Sequence, residues 1–317
     1  MLISLTFAAA LVASLAITPI VRRLAHWLDL LDRPGEHRKV HQFPVPRLGG
    51  VAMVIAFGVG LALATLAAGD LDGAGGGPNR APAILAGVTL LLVLGVIDDT
   101  RGMRALVKLT VQVAAALLAV GLGLSLERLH FPWGIVELGP LAVPITVAWI
   151  VGVINAVNLI DGLDGLATAV VVTVLGTFAV IAALDGVDPT LYIIAATIGA
   201  AVGFLAYNLH PATIIMGDTG SMFLGFVVAA IGISLTQDGV HPVPPWVPMV
   251  ALGVPIVDTA WAIVRRTARG EPFFVADSGH IHHQLLRRGL SQRDAMLILT
   301  AASAGLAVIA VLLAQVD

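Results

Sequence analysis

Long apolar runs separated by short polar breaks set the pattern of this chain from one end to the other. Read as helices, the runs fall near 2–21, 48–68, 82–97, 108–126, 141–156, 166–184, 190–206, 221–236, 246–264 and 294–316. Crossing the hydrocarbon core of a bilayer takes about 20 apolar residues, so most of these runs are spans by length alone. The runs at 82–97 and 141–156 are short, and their helices are expected to continue into flanking polar residues. The first run has neither a basic leader nor a small-residue cleavage signature, so it is expected to be a retained helix rather than a signal peptide. The pattern predicts an all-α polytopic membrane protein of about ten spans, one transmembrane domain over 1–317.

Composition agrees. Of 317 residues, 58% are hydrophobic and 12% charged, which excludes an ordinary soluble domain of this size. Mean hydropathy is +0.97. Cysteine is absent, which removes disulfides and thiolate metal sites. The net charge of −3 decides little, but its distribution decides orientation. Of 17 Lys and Arg, all but Arg80 and Arg128 fall in or beside the odd-numbered gaps between runs. The positive-inside rule therefore places those gaps in the cytoplasm and both termini outside. The Gly-rich stretch 70–78 then reads as an external linker.

The unusual polar residues gather in the same five gaps. The first carries His37, Arg38, Lys39, His41, Pro44, Pro46 and Arg47, and the second opens on Asp98-Asp99. The third reads Asn155-Ala-Val-Asn158-Leu-Ile-Asp161-Gly-Leu-Asp164-Gly, and the fourth runs from Asn208 and His210 to Met216-Gly-Asp218-Thr-Gly-Ser221. The fifth holds Asp277-Ser278-Gly-His280-Ile-His282-His283. Adjacent carboxylates repel unless a cation or proton intervenes, so Asp98 and Asp99 point to a divalent metal or a metal-bound phosphate; an acidic helix end at the interface is the plainer alternative. Asp218 lies between glycines at a helix start, where it is either a cap or a ligand. Oxygen donors at several helix ends suit Mg²⁺ better than Zn²⁺, with Mn²⁺ a substitute. Beside arginines, the three histidines suit phosphate contact more than metal ligation. Asn155, Asn158 and Asp161 recur every three residues along one helix face, where packing between helices is the alternative to a site. His26, His130 and His241 are isolated and read as structural, while His210 and Asp258 stay open between structure and site.

In order and spacing these motifs resemble the polyprenyl-phosphate N-acetylhexosamine-1-phosphate transferases, from His41 to His283. The His280-x-His282-His283 form, Asp277 and His41-x-x-Pro44-x-Pro46 look like the branch that uses UDP-GlcNAc rather than the branch that uses UDP-MurNAc-pentapeptide. Two positions depart: Ile215 stands where the family usually has an aromatic, and Ser278 where many members have Arg or Lys. The resemblance implies transfer of a sugar-1-phosphate from a UDP-N-acetylhexosamine to a polyprenyl phosphate, with release of UMP. It assigns Asp218, with Asn158, to Mg²⁺ (or Mn²⁺), Asp98 to the base or lipid-phosphate orienter, and Asp99 to support. Asn155, Asn158, Asp161, Asp164 and Asn208 would line the nucleotide-sugar site, with His280, His282, His283 and Arg47 near phosphates. It further implies a bacterial cytoplasmic membrane, a homodimer and no nucleic-acid partner. The rival class is an ion-coupled secondary transporter, since membrane aspartates often mark ion paths.

Overall fold

The structure, a computed structural model, describes residues 1–33, 43–68, 80–185, 188–239, 241–270 and 279–315. Expectations on His37, Arg38, Lys39, His41, Asp277, Ser278 and the stretch 70–78 fall outside the described residues. The chain is an all-α polytopic membrane protein, with eight described helices long and apolar enough to cross a bilayer. The helices run α1 (Leu2–Trp27), α2 (Gly49–Ala68), α3 (Ala81–Arg101), α4 (Ala105–Gly121), α5 (Ala142–Ile160), α6 (Leu166–Asp185), α7 (Asp188–Asn208), α8 (Gly217–Gln237), α9 (Trp246–Ala251), α10 (Gly253–Ala268), α11 (Ile281–Arg287) and α12 (Gln292–Leu313). The short runs at 82–97 and 141–156 do extend into polar residues, α3 through Asp98 and Asp99 and α5 through Asn155 and Asn158.

Helix α8 is the axis of the bundle. Its apolar side chains have no polar face, and a helix hydrophobic all round belongs in an interior; every residue from Thr219 to Thr236 is buried. Helices α2, α3, α5 and α6 pack around it. Close approach rests on small residues, the usual solution between membrane helices. At Gly50, a Cβ would sit 2.1 Å from the backbone nitrogen of Gly220, so α2 and α8 touch backbone to backbone where both begin. The polar side chains of the spans mostly bond back into their own helices, as Thr18 does to the Ser14 carbonyl, while Ser14 donates across to the Ala200 carbonyl of α7. In hydrocarbon an unpaired hydroxyl has no water to turn to.

Two expectations need correction. The run at 246–264 is not one continuous helix: it breaks at Leu252 into α9 and α10. Pro255 has no N–H, and its ring clashes with the carbonyl of residue 251, where α9 ends. The run at 108–126 stops at Gly121, and the chain turns into an antiparallel hairpin, β3 (Arg128–Phe131) with β4 (Gly134–Glu137). Its side chains are exposed or half-buried, and alternation over four residues was too short to read in the sequence. A second antiparallel pair, β1 (Leu31–Asp32) with β2 (Val45–Pro46), closes the first polar gap. The described residues of the five motif-bearing gaps meet at one end of the bundle, where the close of α3, α5 and α7 and the segments before α2, α8 and α11 touch one another.

Candidate active site

The start of α8 is where the motifs meet. Gly217 takes φ +68°, a backbone region that costs glycine nothing, and a Cβ there would lie 2.6 Å from both Asp99 carboxylate oxygens. That space lets Asp99 reach across from α3. Its Oδ1 accepts the Asp218 N–H at 2.8 Å, and its Oδ2 accepts the Thr219 N–H at 3.1 Å and the Thr219 hydroxyl at 2.6 Å. Asp99 is therefore an end cap supplied by a neighbouring helix, satisfying amides that have no partner within α8. Both of its oxygens accept from the start of α8, so any support Asp99 lends to the site comes through holding Asp218 and Thr219 in place.

Asp98, one residue earlier, turns to a different partner. The Lys108 ammonium contacts its Oδ2 and also lies 3.1 Å from Asp218 Oδ2. Two carboxylates from α3 and α8 thus share one cation from α4, and their carboxyl groups come within hydrogen-bonding reach of each other. Asn158 completes the group by donating from Nδ2 to Asp218 Oδ1 at 2.6 Å and to the Ser221 hydroxyl at 2.7 Å. Asp98 is almost wholly buried, whereas 30% of the Asp218 side chain and 26% of Lys108 stay exposed. The cluster has a dry floor and an open mouth.

These donors fit a hard divalent ion. Lys108 already shows that the paired carboxylates hold a cation; the Ser221 hydroxyl adds an oxygen, and Asn158, whose Nδ2 faces Asp218, would offer its Oδ1 by a turn of the amide. Among the described residues no three His, Cys, Asp or Glu side chains form a complete metal cage. One or two carboxylates completed by water and substrate phosphate is the usual manner of Mg²⁺ binding. Lys108 is the residue that reading the sequence missed. It counted there only as a cytoplasmic positive charge, and its four-carbon stem hides the reach from α4 to both aspartates.

Three further expected site residues are tied into the helix framework. Asn155 donates from Nδ2 to Gln112 Oε1 at 2.7 Å and to the Val151 carbonyl at 2.8 Å, so it bridges α5 to α4. Asn208 is buried, with its oxygen accepting the Gly165 N–H at 3.2 Å and its nitrogen donating to the Ile214 carbonyl at 3.1 Å. Asp164, also buried, accepts the Ala212 N–H at 3.0 Å and sits 2.8 Å from His210 Nδ1. Asp164 and Asn208 pin the loop between α7 and α8 to the start of α6, and His210 joins them through Asp164.

Arg47 and the histidines form the rim. Pairing of β1 with β2 sets Arg47 against Asp32, and the segment from Pro46 to Gly50 runs along Ile215 and Met216 through N–H···O bonds of 2.8–3.0 Å. Partial burial lowers the Arg47 pKa, but the hydrogen bond and charge of Asp32, helped by Asp99 and Asp218, raise it overall. The guanidinium is thus a fixed positive charge facing the aspartates. Ile215, where an aromatic was expected, gives its backbone N–H to the Pro46 carbonyl. Across the mouth, His282 packs on Gly162, where a Cβ would meet its Nε2 at 2.2 Å, beside half-buried Asp161. Burial, then the neighbouring His283, pushes the His282 pKa down to about 3, so the ring is neutral. His280 stacks on His282 at 5.8 Å between centroids, and His283 tilts against it at 4.3 Å.

Comparison with known proteins agrees with this geometry. The family described as glycosyl transferase family 4 matches residues 81–236, the stretch from α3 to α8 that holds the Asp98–Lys108–Asp218 cluster. A probable undecaprenyl-phosphate N-acetylglucosaminyl 1-phosphate transferase of Bacillus subtilis is 39% identical over 94% of this chain and 81% of its own length. The chain belongs to glycosyl transferase family 4. A decaprenyl-phosphate N-acetylglucosaminephosphotransferase of Mycobacterium tuberculosis is 37% identical over 92% of the chain and 77% of its own length. The undecaprenyl-phosphate alpha-N-acetylglucosaminyl 1-phosphate transferase of Escherichia coli K12 is 29% identical over 92% and 78%. Arg47 and the histidines lie outside the matched family region but inside these longer alignments.

Proposed function

We propose that this protein transfers N-acetylglucosamine-1-phosphate from UDP-GlcNAc to a polyprenyl phosphate and releases UMP. The observation that carries the reading is the cluster of Asp98, Lys108, Asp218 and Asn158, open at the end of a buried bundle; the names of the relatives supply the substrates. A phosphate oxygen of the lipid bonds to the sugar-bearing phosphorus while the bond from that phosphorus to the bridging oxygen breaks. UMP leaves with that oxygen, and the lipid gains a sugar pyrophosphate. Every reactant is anionic, so the catalytic work is neutralisation of charge and in-line placement. Lys108 and Arg47 supply fixed positive charge. Asp98 orients the lipid phosphate, which needs little deprotonation at neutral pH. Asp218 and Asn158 would hold Mg²⁺ or Mn²⁺, which when bound screens the pyrophosphate and stabilises its developing charge. Asp161, His280 and His283 contact the nucleotide sugar from the rim.

The basic residues beside the site support a cytoplasmic orientation in a bacterial inner membrane, where both substrates are reached at the interface. Neither transfer of phospho-MurNAc-pentapeptide nor ion-coupled transport gains support from the relatives. The test is UMP release by the purified full-length protein with undecaprenyl or decaprenyl phosphate, comparing UDP-GlcNAc, UDP-GalNAc and UDP-MurNAc-pentapeptide with and without Mg²⁺. Release with UDP-GlcNAc that needs both lipid and Mg²⁺ is expected. Equal release without lipid overturns the reading.

A further inference from the structure

Asp258 has no part in the cluster just described, yet it is a carboxylate 3% exposed in α10. The same helix turns Val257, Trp261, Ile263 and Val264 outward as exposed apolar side chains, and buries Val254, Pro255 and Ala262. Burying a carboxylate among such groups is unfavourable unless it is paired and hydrogen-bonded. Among the described residues Asp258 has two hydrogen-bond partners, both in the histidine segment. Its Oδ2 lies 2.8 Å from His280 Nδ1, and its Oδ1 accepts the Ile281 N–H at 2.8 Å, which caps the first turn of α11. On the same helix, Arg265 packs against Gly279, where a Cβ would fall 2.4 Å from the guanidinium carbon. Helix α10 thus grips the residues just before and at the start of α11.

The chemistry of that contact is one-sided. An ionised carboxylate only accepts, so Nδ1 of His280 must carry the proton, and Nε2 is the one ring nitrogen not committed to Asp258. The His280 ring lies nearly parallel to His282, at an interplanar angle of 6°, and His282 in turn rests on Gly162 beside Asp161. We propose that Asp258 is a positioning residue for the transfer reaction: it fixes the tautomer and ring plane of His280 and the start of α11, and so registers the histidine rim against the Asp161–Gly162 turn. The proposal rests on the function given above. Asp258 itself touches no substrate; it acts through His280, as carboxylates behind catalytic or metal-bound histidines do elsewhere.

The experiment compares Asp258→Asn, Asp258→Glu, His280→Ala and the Asp258→Asn/His280→Ala double variant in the full-length protein, by UMP release and by ¹⁵N-histidine NMR. In Asp258→Asn the amide keeps one acceptor but turns a donor toward the ring, which favours the wrong tautomer. Its kcat is expected to fall about 10–100-fold, with KM for UDP-GlcNAc and for the lipid changed far less. Asp258→Glu should recover part of the rate. In the His280→Ala background, Asp258→Asn should add no further loss, because its effect runs through that ring. The NMR signal of His280, assigned by its absence in His280→Ala, should show a protonated Nδ1 in the wild type and lose it in Asp258→Asn. Wild-type turnover in Asp258→Asn overturns the proposal, as does a loss that multiplies with that of His280→Ala, or an unchanged Nδ1–H signal. If the wild type releases no UMP at all, the proposed function falls, while the NMR comparison still decides the Asp258–His280 pair.

Discussion

Both ends of this bundle bury aspartates beside cations, and they do so in opposite ways. At the end away from the site, Arg80 binds Asp238 through Nε and Nη2 at 2.5 and 2.7 Å, with the side chains 10% and 8% exposed. Gln237 alongside accepts the N–H groups of Glu127 and Arg128 and donates to the Arg128 carbonyl at 2.7 Å, and Phe131, Trp133 and Trp246 stack over the hairpin. One acid meets one base in a closed fork, and nothing is left over to bind. At the other end Lys108 is shared by Asp98 and Asp218, with Asp218 three-tenths exposed. Two carboxylates sharing one lysine leave this group charge-deficient and partly exposed at its mouth. A closed ion pair holds helices in place; an open, charge-deficient one can take part in chemistry.

That contrast can be broken first at Asp218. Asp218→Asn keeps the size and the Asn158 neighbourhood but removes the charge, and UMP release should fall about a thousandfold or more while the folded protein is retained. Lys108→Met comes next: turnover should drop about 10–100-fold in the Mg²⁺-dependent assay, and the melting temperature should fall as well, because Asp98, 3% exposed, loses the cation beside it. Asp99→Ala should act first on stability. It strands two buried N–H groups and a hydroxyl at the start of α8, for a loss of about 3 kcal/mol or more in stability, seen as a lower melting temperature. Arg80→Met leaves Asp238 buried and unpaired and should cost about 3 kcal/mol in the same measurement, with kcat of the folded fraction unchanged. A paired Arg80→Met/Asp238→Leu variant should recover most of that loss. The smallest effect is pH-linked. His282 is held at about 3 in the folded chain, against about 6.5 when unfolded, so the unfolded state takes up the proton first. Stability should be flat above about pH 6.5 and decline as pH falls from there toward 3, with the decline shallower in His282→Gln.

The sequence made the membrane architecture plain, because a span must show its apolar residues one after another. It also pointed to the candidate site, since polar residues at successive helix ends on one side have few structural uses. It could not say which aspartate does what. Asp98 and Asp99 are neighbours in the chain, but a helix turns about 100° between them, so one meets Lys108 and the other the start of α8. Asn155 and Asn158 share a face, yet one finds Gln112 of α4 and the other Asp218 of α8, partners that only the packing of α5 against both helices supplies. Lys108 was invisible as a site residue, and Asp258 stayed open between structure and site, for a related reason: each joins a partner many residues away, and neither belongs to a recognisable motif. The break at Leu252 follows from Pro255, but hydrophobicity alone ran through it.

The central claim is that the open cluster at the start of α8 is the site of sugar-phosphate transfer and the fork at Arg80 only holds the bundle together. The direct test is the rate of UMP release from UDP-GlcNAc, with polyprenyl phosphate and a titration of Mg²⁺, for the wild type, Asp218→Asn and Arg80→Met side by side. Saturable, Mg²⁺-dependent release in the wild type and in folded Arg80→Met, with none above background in Asp218→Asn, is the predicted result. Wild-type release by Asp218→Asn at any Mg²⁺ concentration would contradict it.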